Sequence, residues 1–582
     1  MGTRVLFCTA AGERYGLGHL KRCLSIINEA GVTFEPSIYI VKGSARDVWE
    51  NQTLTQGYRY VRTVEEAERP EIILCDMRNS RGRQMRKFAK AGTVVSLDDL
   101  GAAKKYAHIL LHTLPTLEGT SSNLSGSDFL VLESKLKRLR PLSFSEKRGV
   151  LVSFGGSDPD NLTGFIVPML NFMGIQPTVI RGPLFSHRSE ELKGEILENP
   201  KNLHELINRA QVLITSFGIT MFEAFFLGTP VILFNRSSYH YRLAQKVPAM
   251  NIGYKGSLGD EQLKNILGSL LEDEQSLRES AQRAVSTIDG RGTERVISLM
   301  NQGSHALRKD CLFGHSRAIA LKRNEEYTLF RCRRCGDFFL YEIQPLRRIY
   351  DDSSYFLSEY KKQYGRTYPE DRENIDRIGA RRIKIIEGII EKPGRMLDVG
   401  CALGFFVHLA ASRGWEALGI EVSPYACEWG KKILTLDITQ ASFLDVQIEA
   451  ESFDAVCFFF VAEHFKNVED LIEKTHRILK KGGVVAFALP NRSGISYRLR
   501  RQKYLETHPR DHYFDTNPKN LTRILKRYGF RKRNIYITGI HPNRFFEAFG
   551  IRSTPRFLQR VYSICANIFH LGDTFEYYGT KT

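Results

Sequence analysis

Five short stretches of this 582-residue chain combine residue types that can do chemistry at the spacings chemistry needs. In GERYGLGHLKRC, His19 follows Gly16 and Gly18 on a loop between the apolar run RVLFCTA and the helical pattern LKRCLSIINEA. An imidazole there can take a proton near neutral pH, or it can be a helix-start histidine bound to a neighbouring carbonyl. The loop is not a dinucleotide fingerprint, which would need a third glycine at Lys21 and an acid about twenty residues on. VSFGGSDPDNLT and TSFGITMFEAFFLGTP are glycine turns that follow apolar runs. Gly155, Gly156 and Ser157 would present backbone N–H groups to an anion. Gly218 ends a strand, Thr220 stands at a helix start and Glu223 on its first turn. That order would seat a diphosphate on the helix N-terminus and ribose hydroxyls on the acid.

In RMLDVGCALGFFVHLAASRGWEALGIEVSP, a strand ends in Asp398, a glycine turn runs from Gly400 to Gly404, and the next strand ends in Glu421. An acid about twenty residues after such a loop can take both hydroxyls of a ribose, and this geometry alone leaves a dinucleotide open. Ala402 stands where a glycine is more usual, which a negative φ would tolerate. The last stretch pairs C-x3-H, Cys311 and His315, with C-x2-C, Cys332 and Cys335. Thiolates and an imidazole so spaced suit tetrahedral zinc. Gly314 occupies the usual second-cysteine slot, so the set reads as a four-ligand structural site with His315 as substitute, or as a degraded one. The other cysteines, such as Cys75 in IILCD and Cys457 in AVCFFF, read as core packing.

The elements that must carry these residues follow an α/β pattern. RVLFCTA, EIILCD, TVVSLDD, GVLVSFGG, QVLITS and PVILFN read as buried parallel strands with amphipathic helices between them, a doubly wound arrangement. The expected divisions are lobes at 1–145 and 146–303, with SFSEKRG as their linker, and a cysteine-bearing module at 308–345. A helical linker at 346–390, a third α/β unit at 391–545, and a tail at 546–582 follow. The tail reads as a helix, packed on the domain or lying on a membrane surface, and a final edge strand, DTFEYYGTKT.

Hydrophobic content of 42% and charged content of 25% fit a globular chain with its own cores. No apolar run reaches the ~18 residues of a spanning helix, and the start lacks a signal-like h-region, so a cytoplasmic enzyme is expected. In that setting the NLT at Asn161 carries no glycan. The net charge of +18 comes without a basic, aromatic-interleaved stripe or a nucleic-acid motif. Scattered basic surface and anionic small substrates such as nucleotide sugars account for it.

Taken together, GLGHLKRC, VSLDDLG, VSFGGSDPDNLT and FGITMFEAFFLGTP resemble the hydrolase family of pseudaminic acid biosynthesis and its spore-coat polysaccharide relatives, over roughly residues 1–300. The resemblance implies two Rossmann-like lobes of glycosyltransferase-B type. It implies that UDP is removed from UDP-2,4-diacetamido-2,4,6-trideoxy-β-L-altropyranose by a water that His19 activates, without a metal. Gly16, Gly18, Arg22, Asp76 and Asp98 would then face the sugar, with Asp98 and Asp99 either binding it or fixing loops. Gly155, Gly156, Ser157, Gly218, Thr220 and Glu223 would hold UDP. Two departures stand out: the family's aromatic partner is absent beside Asp76, and FNRSSYHYRLAQ places His240 and Tyr241 near the family's Asn-Gln pair. A sugar transferase, or a nucleotide-sugar-binding scaffold without catalysis, remains open for this half.

From about residue 310 to 540, D-x-G-x-x-x-G, GIEVSP, VAEHFKNVEDL and KKGGVVAFALPN resemble class I S-adenosylmethionine methyltransferases, and with the cysteine module they are similar to sugar methyltransferases of deoxysugar pathways. The resemblance implies S-adenosylmethionine held by Asp398, Gly400, Gly404, Glu421 and Glu463, a structural zinc, and a sugar or glycan as methyl acceptor. His464 is the candidate base, against a structural Glu-His at a strand end. His512, Tyr355 and Tyr360 are further substrate-side candidates.

Overall fold

The computed structural model describes residues 2–12, 15, 17–43, 57–117, 121–187, 193–304, 310–315, 317–345, 350, 352–547, 549–551 and 555–582. Gly16 lies outside the described residues. The chain forms two compact units, Met1–Ala306 with Arg323–Glu325, and Leu307–Lys322 with Glu326–Thr582.

The first unit holds two parallel sheets. In the seven-stranded one, Arg59–Tyr60, Phe34–Gly43, Thr3–Ala11, Ile72–Asp76, Thr93–Leu97, Ile109–His112 and Leu124–Ser125 lie side by side in that order. The six-stranded sheet runs Glu195–Glu198, Thr178–Arg181, Val150–Val152, Val212–Thr215, Val231–Asn235, Met250–Tyr254. Runs such as IILCD and VILFN are buried throughout, as strands covered by helices on both faces must be. In each sheet the first and fourth strands are neighbours, so the strand order reverses between them. Ligands of such sheets lie in the crevice at that reversal, beyond the carboxyl ends of the strands.

Two boundaries differ from the sequence expectation. SFSEKRG is not a loose linker. Its Lys147 is buried, and its ammonium donates to Asn208 O at 2.6 Å, Thr229 Oγ1 at 2.9 Å and Leu227 O at 3.2 Å, which pins the start of the second lobe. Burial pushes that lysine down to about 8. The helix Gly292–Ser304, expected with the second lobe, packs on the first. Thr293 Oγ1 donates to Leu132 O at 3.1 Å, and the helix lies against Gly18–Ala30. The chain therefore crosses between lobes twice.

The second unit carries a mixed seven-stranded sheet. Ile438–Gln440, Glu416–Glu421, Arg395–Val399, Phe453–Phe459 and Leu479–Pro490 pair in parallel; Thr574–Lys581 and then Phe530–Thr538 follow antiparallel. Thr574–Lys581 is thus interior and not an edge strand: its buried Phe575, Tyr577 and Tyr578 need neighbours on both sides. The cysteine module is a hairpin, Tyr327–Cys332 with Phe338–Glu342, onto which Phe514–Asp515 adds antiparallel. Expected as a separate module, it shares the compact unit of the mixed sheet.

Candidate functional site

In the first unit the reversal point brings together residues far apart in sequence. His19 is the second residue of the helix after the first strand, and Asp76 ends the fourth. His19 Nδ1 meets Asp76 Oδ1 at 2.7 Å. Asp76 is fully buried, and Arg22 binds it through Nε at 2.7 Å and through Nη2. Arg22 Nη1 also donates to Asp98 Oδ2 at 2.5 Å and Thr113 Oγ1 at 2.8 Å. Burial would raise the Asp76 acid, but Arg22 and His19 outweigh it and hold the carboxyl down at about 2. Burial likewise opposes the Arg22 charge, and the two aspartates raise its pKa regardless. An ionised carboxylate only accepts, so Nδ1 of His19 is the donor. The His19 side chain is 26% exposed, whereas that of Arg22 is 1%.

The structure therefore moves Arg22, Asp76 and Asp98 from the substrate-facing set to the support behind His19. Asp98 takes a left-handed φ of 50° and caps the chain at Thr113 N, 2.8 Å, and Leu114 N, 3.1 Å. Asp99 fixes a loop by accepting from Ser80 N at 3.1 Å and Gly101 N at 2.8 Å. Among the described residues nothing lies within 4 Å of where a Cβ on Gly18 would stand.

The second lobe's glycine turns follow its adjacent first and fourth strands. Gly155 has φ +85°, and a Cβ on Gly182 would stand 2.5 Å from Gly156 Cα, so the backbones there touch. Among the described residues a Cβ on Gly156 would meet Leu17, at 4.0 Å, which puts this turn opposite the His19 loop. The helix behind it, Leu162–Phe172, is capped by its own chain: Asp158 accepts from Leu162 N and Thr163 N at 2.9 and 2.8 Å, and Asn161 from Gly164 N. Ile219–Phe226 differs, since its cap Gly218 offers no side chain and its leading N–H groups stay available to an anion. Thr220 lies in that first turn, and Glu223 falls one residue beyond it. Glu223 is met by His204 Nε2 at 3.3 Å, a partner the sequence reading missed. Burial lowers the His204 pKa, and Glu223 raises it by more. Arg78 crosses the cleft to Tyr239 OH at 2.5 Å and stacks on its ring at 4.8 Å. Burial, then Arg78 and Arg236, push His240 beside it down to about 4, so it is neutral at pH 7.

In the second unit the loop between Arg395–Val399 and the helix Phe405–Ser412 alternates left-handed residues: Gly400 at φ 71°, Ala402 at 51° and Gly404 at 85°. The expected negative φ at Ala402 is not what forms. Its N–H is drawn to Glu421 Oε2 at 2.9 Å, which holds the loop in the strained region. Glu421 also accepts from Val422 N and Ser423 N at 2.8 and 2.9 Å, so its carboxylate is fixed before any ligand arrives. Burial pushes Asp398 up to about 8, with Arg382 opposing and Glu421 adding to it. The uncapped helix after Gly404 supplies N–H groups for a carboxylate. A pinned acid, a left-handed glycine turn and a free helix start form a donor set that fits S-adenosylmethionine.

After the fourth strand of this sheet come Glu463 and His464. His464 Nδ1 meets Asp511 Oδ2 at 3.0 Å, and Tyr350 OH donates to the same oxygen at 3.0 Å. His512 Nδ1 meets Asp515 Oδ1 at 3.2 Å, while His508 Nε2 takes Oδ2 at 2.6 Å. Burial lowers the His464 pKa, but Asp511 and Glu463 lift it to about 9. Burial raises the Glu463 pKa, with His464 and His512 opposing. Tyr355 and His464 both pack against the Tyr350 ring, with centroids 4.8 and 5.8 Å away, which sets Tyr355 beside this cluster. Asp511, Asp515 and His508 were missed. The signal was HPRDHYFD, where His and Asp recur at i, i+3 and i+4.

Cys311, His315, Cys332 and Cys335 converge, with ligand atoms within 4.8 Å of one another. Gly314 at φ 67° makes the turn that delivers His315. Asn520 ties this knuckle to the mixed sheet, donating to Cys335 O at 3.0 Å and Asp337 Oδ1 at 2.6 Å. Four soft or imidazole donors with no free position suit a structural zinc.

The folds are Rossmann-like α/β units, and one of them can be placed more narrowly. Residues 370–535 match the family model described as a methyltransferase domain. With the sheet order above, the second unit contains an S-adenosylmethionine-dependent methyltransferase domain of class I fold. An uncharacterized protein of Methanocaldococcus jannaschii, MJ1062, is 24% identical over 269 residues, 40% of this chain and 55% of that protein. A ubiquinone biosynthesis O-methyltransferase of Nitrosomonas europaea is 31% identical over 120 residues, 20% of this chain and 50% of that enzyme. The chain thus spans about half the length of these curated relatives. A solved S-adenosylmethionine-dependent methyltransferase of Archaeoglobus fulgidus is 15% identical, with a TM-score of 0.29, covering 38% of this chain and 98% of that one. No helix among the described residues is long and apolar enough to cross a membrane.

Proposed function

We propose that the chain is a bifunctional nucleotide-sugar enzyme of surface-glycan synthesis. Its first unit hydrolyses a UDP-linked 2,4-diacetamido-trideoxy sugar, and its second methylates a sugar or glycan. The observation that carries the first reading is the His19–Asp76 pair at the reversal point, facing the glycine turns of the other lobe. Asp76, kept ionised by Arg22, holds Nδ1–H, so Nε2 takes a proton from water. The water oxygen bonds to the anomeric carbon, and the C–O bond to UDP breaks with its electrons leaving on the diphosphate. The N–H groups of the Gly155–Ser157 turn and the Ile219–Phe226 helix start meet that charge. Glu223, with His204 on one oxygen, is placed for the ribose.

In the second unit S-adenosylmethionine supplies an electrophilic methyl group. Glu421 would bind its ribose, the turn and helix start its carboxylate, and Asp398 its ammonium. Glu463, His464 and His512 would face the acceptor, while zinc on Cys311, His315, Cys332 and Cys335 holds the hairpin. The helix Arg556–Ile568 buries Tyr562 and Ala566 and exposes Phe557, Val561, Ile564 and Ile568 in a stripe beside Arg556 and Arg560. It supports a weak contact with an anionic membrane surface.

Incubation with UDP-sugars tests the first half. Free sugar and UDP without an acceptor support hydrolysis, UDP release that needs an acceptor supports transfer, and binding without turnover supports a scaffold. Hydrolysis that survives His19→Ala would remove the mechanism. Calorimetry with S-adenosylmethionine against NAD tests the second half.

A further inference from the structure

We propose that Glu463, His464 and His512 form a binding site for a divalent first-row metal ion, open on the side of the methyl acceptor. It is distinct from the cysteine cluster.

One ligating atom from each of the three residues lies within 4.8 Å of the others. At metal–ligand distances of about 2.1 Å the three would stand about 3–3.5 Å apart, which side-chain rotation reaches. Glu463 is 1% exposed, and its Oε2 is buried without a hydrogen-bond partner among the described residues. A buried carboxylate oxygen left so is costly, and a cation is what it lacks. Both histidines are already oriented as metal ligands are: each turns Nδ1 to a carboxylate, His464 to Asp511 at 3.0 Å and His512 to Asp515 at 3.2 Å. That leaves both Nε2 atoms for a metal, the outer-shell pattern that fixes tautomer and ring direction around bound ions. Asp515 is itself an outer-shell group, because its two oxygens are taken by His512 and His508.

The chemistry of the set decides the ion. Two imidazoles and one carboxylate leave three positions free on an octahedral ion such as Mn2+ or Fe2+. Thiolates, which prefer zinc, are absent from it. His464 and His512 side chains are 22% and 13% exposed, so the free positions open to the surface beside Tyr350 and Tyr355. Adjacent oxygens of a sugar would fill two of them. His464 then spends its lone pair on the ion, which orients the acceptor hydroxyl and acidifies it in place of an imidazole base: the hydroxyl proton passes to solvent water, the oxygen bonds to the methyl carbon, and the C–S bond breaks with its electrons staying on sulfur. The metal site stands on geometry alone; its link to the acceptor rests on the methyltransferase reading.

The test uses the full chain carrying one equivalent of Zn2+, which the thiolates hold against Mn2+. Mn2+ is titrated in, and the free-ion EPR signal reports what remains unbound. One further equivalent should bind. Affinity should fall at least tenfold in Glu463→Gln and in His512→Gln, and about tenfold in Asp515→Asn through the outer shell. Cooperative urea unfolding, expected for each variant as for the wild type, shows that each is folded. If Glu463→Gln fails that control, His512→Gln decides. No Mn2+ bound to the wild type, or equal binding in the variants, overturns the site. Mn2+ binding without methylation of any sugar would leave the site and remove the acceptor reading.

Discussion

Two histidine–aspartate pairs sit at the reversal points of two different sheets in this chain, and they are built on opposite plans. Around His19, Asp76 answers to Arg22, Arg22 to Asp98, and Asp98 to the backbone at Thr113. Every buried charge there has a partner, and one nitrogen is left over to do work. Around His464 the count does not close. Asp511 and Asp515 are matched, but among the described residues one oxygen of the Glu463 carboxylate has no hydrogen-bond partner. A closed network makes a tool that is finished when the chain folds. An open one makes a tool that is finished by what it binds.

The comparison breaks most visibly at Asp76. Asp76→Asn leaves Arg22 short of one counter-charge and lets His19 take the wrong tautomer. Hydrolysis should drop by about 10^4-fold, and stability by about 3–5 kcal/mol, read by UDP release and by urea unfolding. Cys335→Ser tests whether the open network depends on the hairpin, since Phe514–Asp515 pairs with it. Methyl transfer should fall roughly 10–100-fold while S-adenosylmethionine still binds, measured by turnover beside calorimetry. Glu421→Gln should weaken S-adenosylmethionine by about 1.5–3 kcal/mol, a loss of charged hydrogen bonds seen as a higher Kd.

The fourth experiment varies pH. Asp398 folds with its pKa raised from 3.8 to about 8, so the folded state holds a proton that the unfolded chain gives up. Stability is therefore highest below pH 4 as far as this group is concerned, and falls as pH rises from 4 through 8. Urea midpoints should show that decline between pH 5 and 8, and Asp398→Asn should flatten it. The smallest effect belongs to Ala402→Gly, which relieves a left-handed alanine and should add about 1 kcal/mol in the same assay.

The glycine turns, the acids at strand ends and the cysteine knuckle were legible because each is local: a strand, a turn and a helix within some fifteen residues. His19 was legible as a histidine on the turn between a strand and a helix for the same reason. Its support was not. Arg22 reads like a ligand-binding arginine in GLGHLKRC, and only the adjacency of the first and fourth strands turns it inward onto Asp76. His204 on Glu223 and Asp511 on His464 likewise come from segments that the fold brings together. Ala402 failed for a different reason. A rule about φ was right in general, and lost to one hydrogen bond that the Ala402 N–H donates to Glu421. The helix Gly292–Ser304 kept its pattern and changed its address, because an amphipathic stripe says that a face will be buried and not against what.

Glu576 is a negative charge set inside the mixed sheet, 1% exposed, on the strand Thr574–Lys581. Arg381 and Arg382 of the helix Arg372–Glu387 reach it at 2.7 and 2.8 Å, and Tyr578 OH at 3.0 Å. A strand slipped by one residue would turn Glu576 to the opposite face, away from both arginines, and bury it alone. The aromatic residues beside it, Phe575, Tyr577 and Tyr578, would accept several pairings with the strands on either side. The carboxylate accepts one. It works as a register key, trading some ease of burial for a single way of completing the sheet behind Asp398.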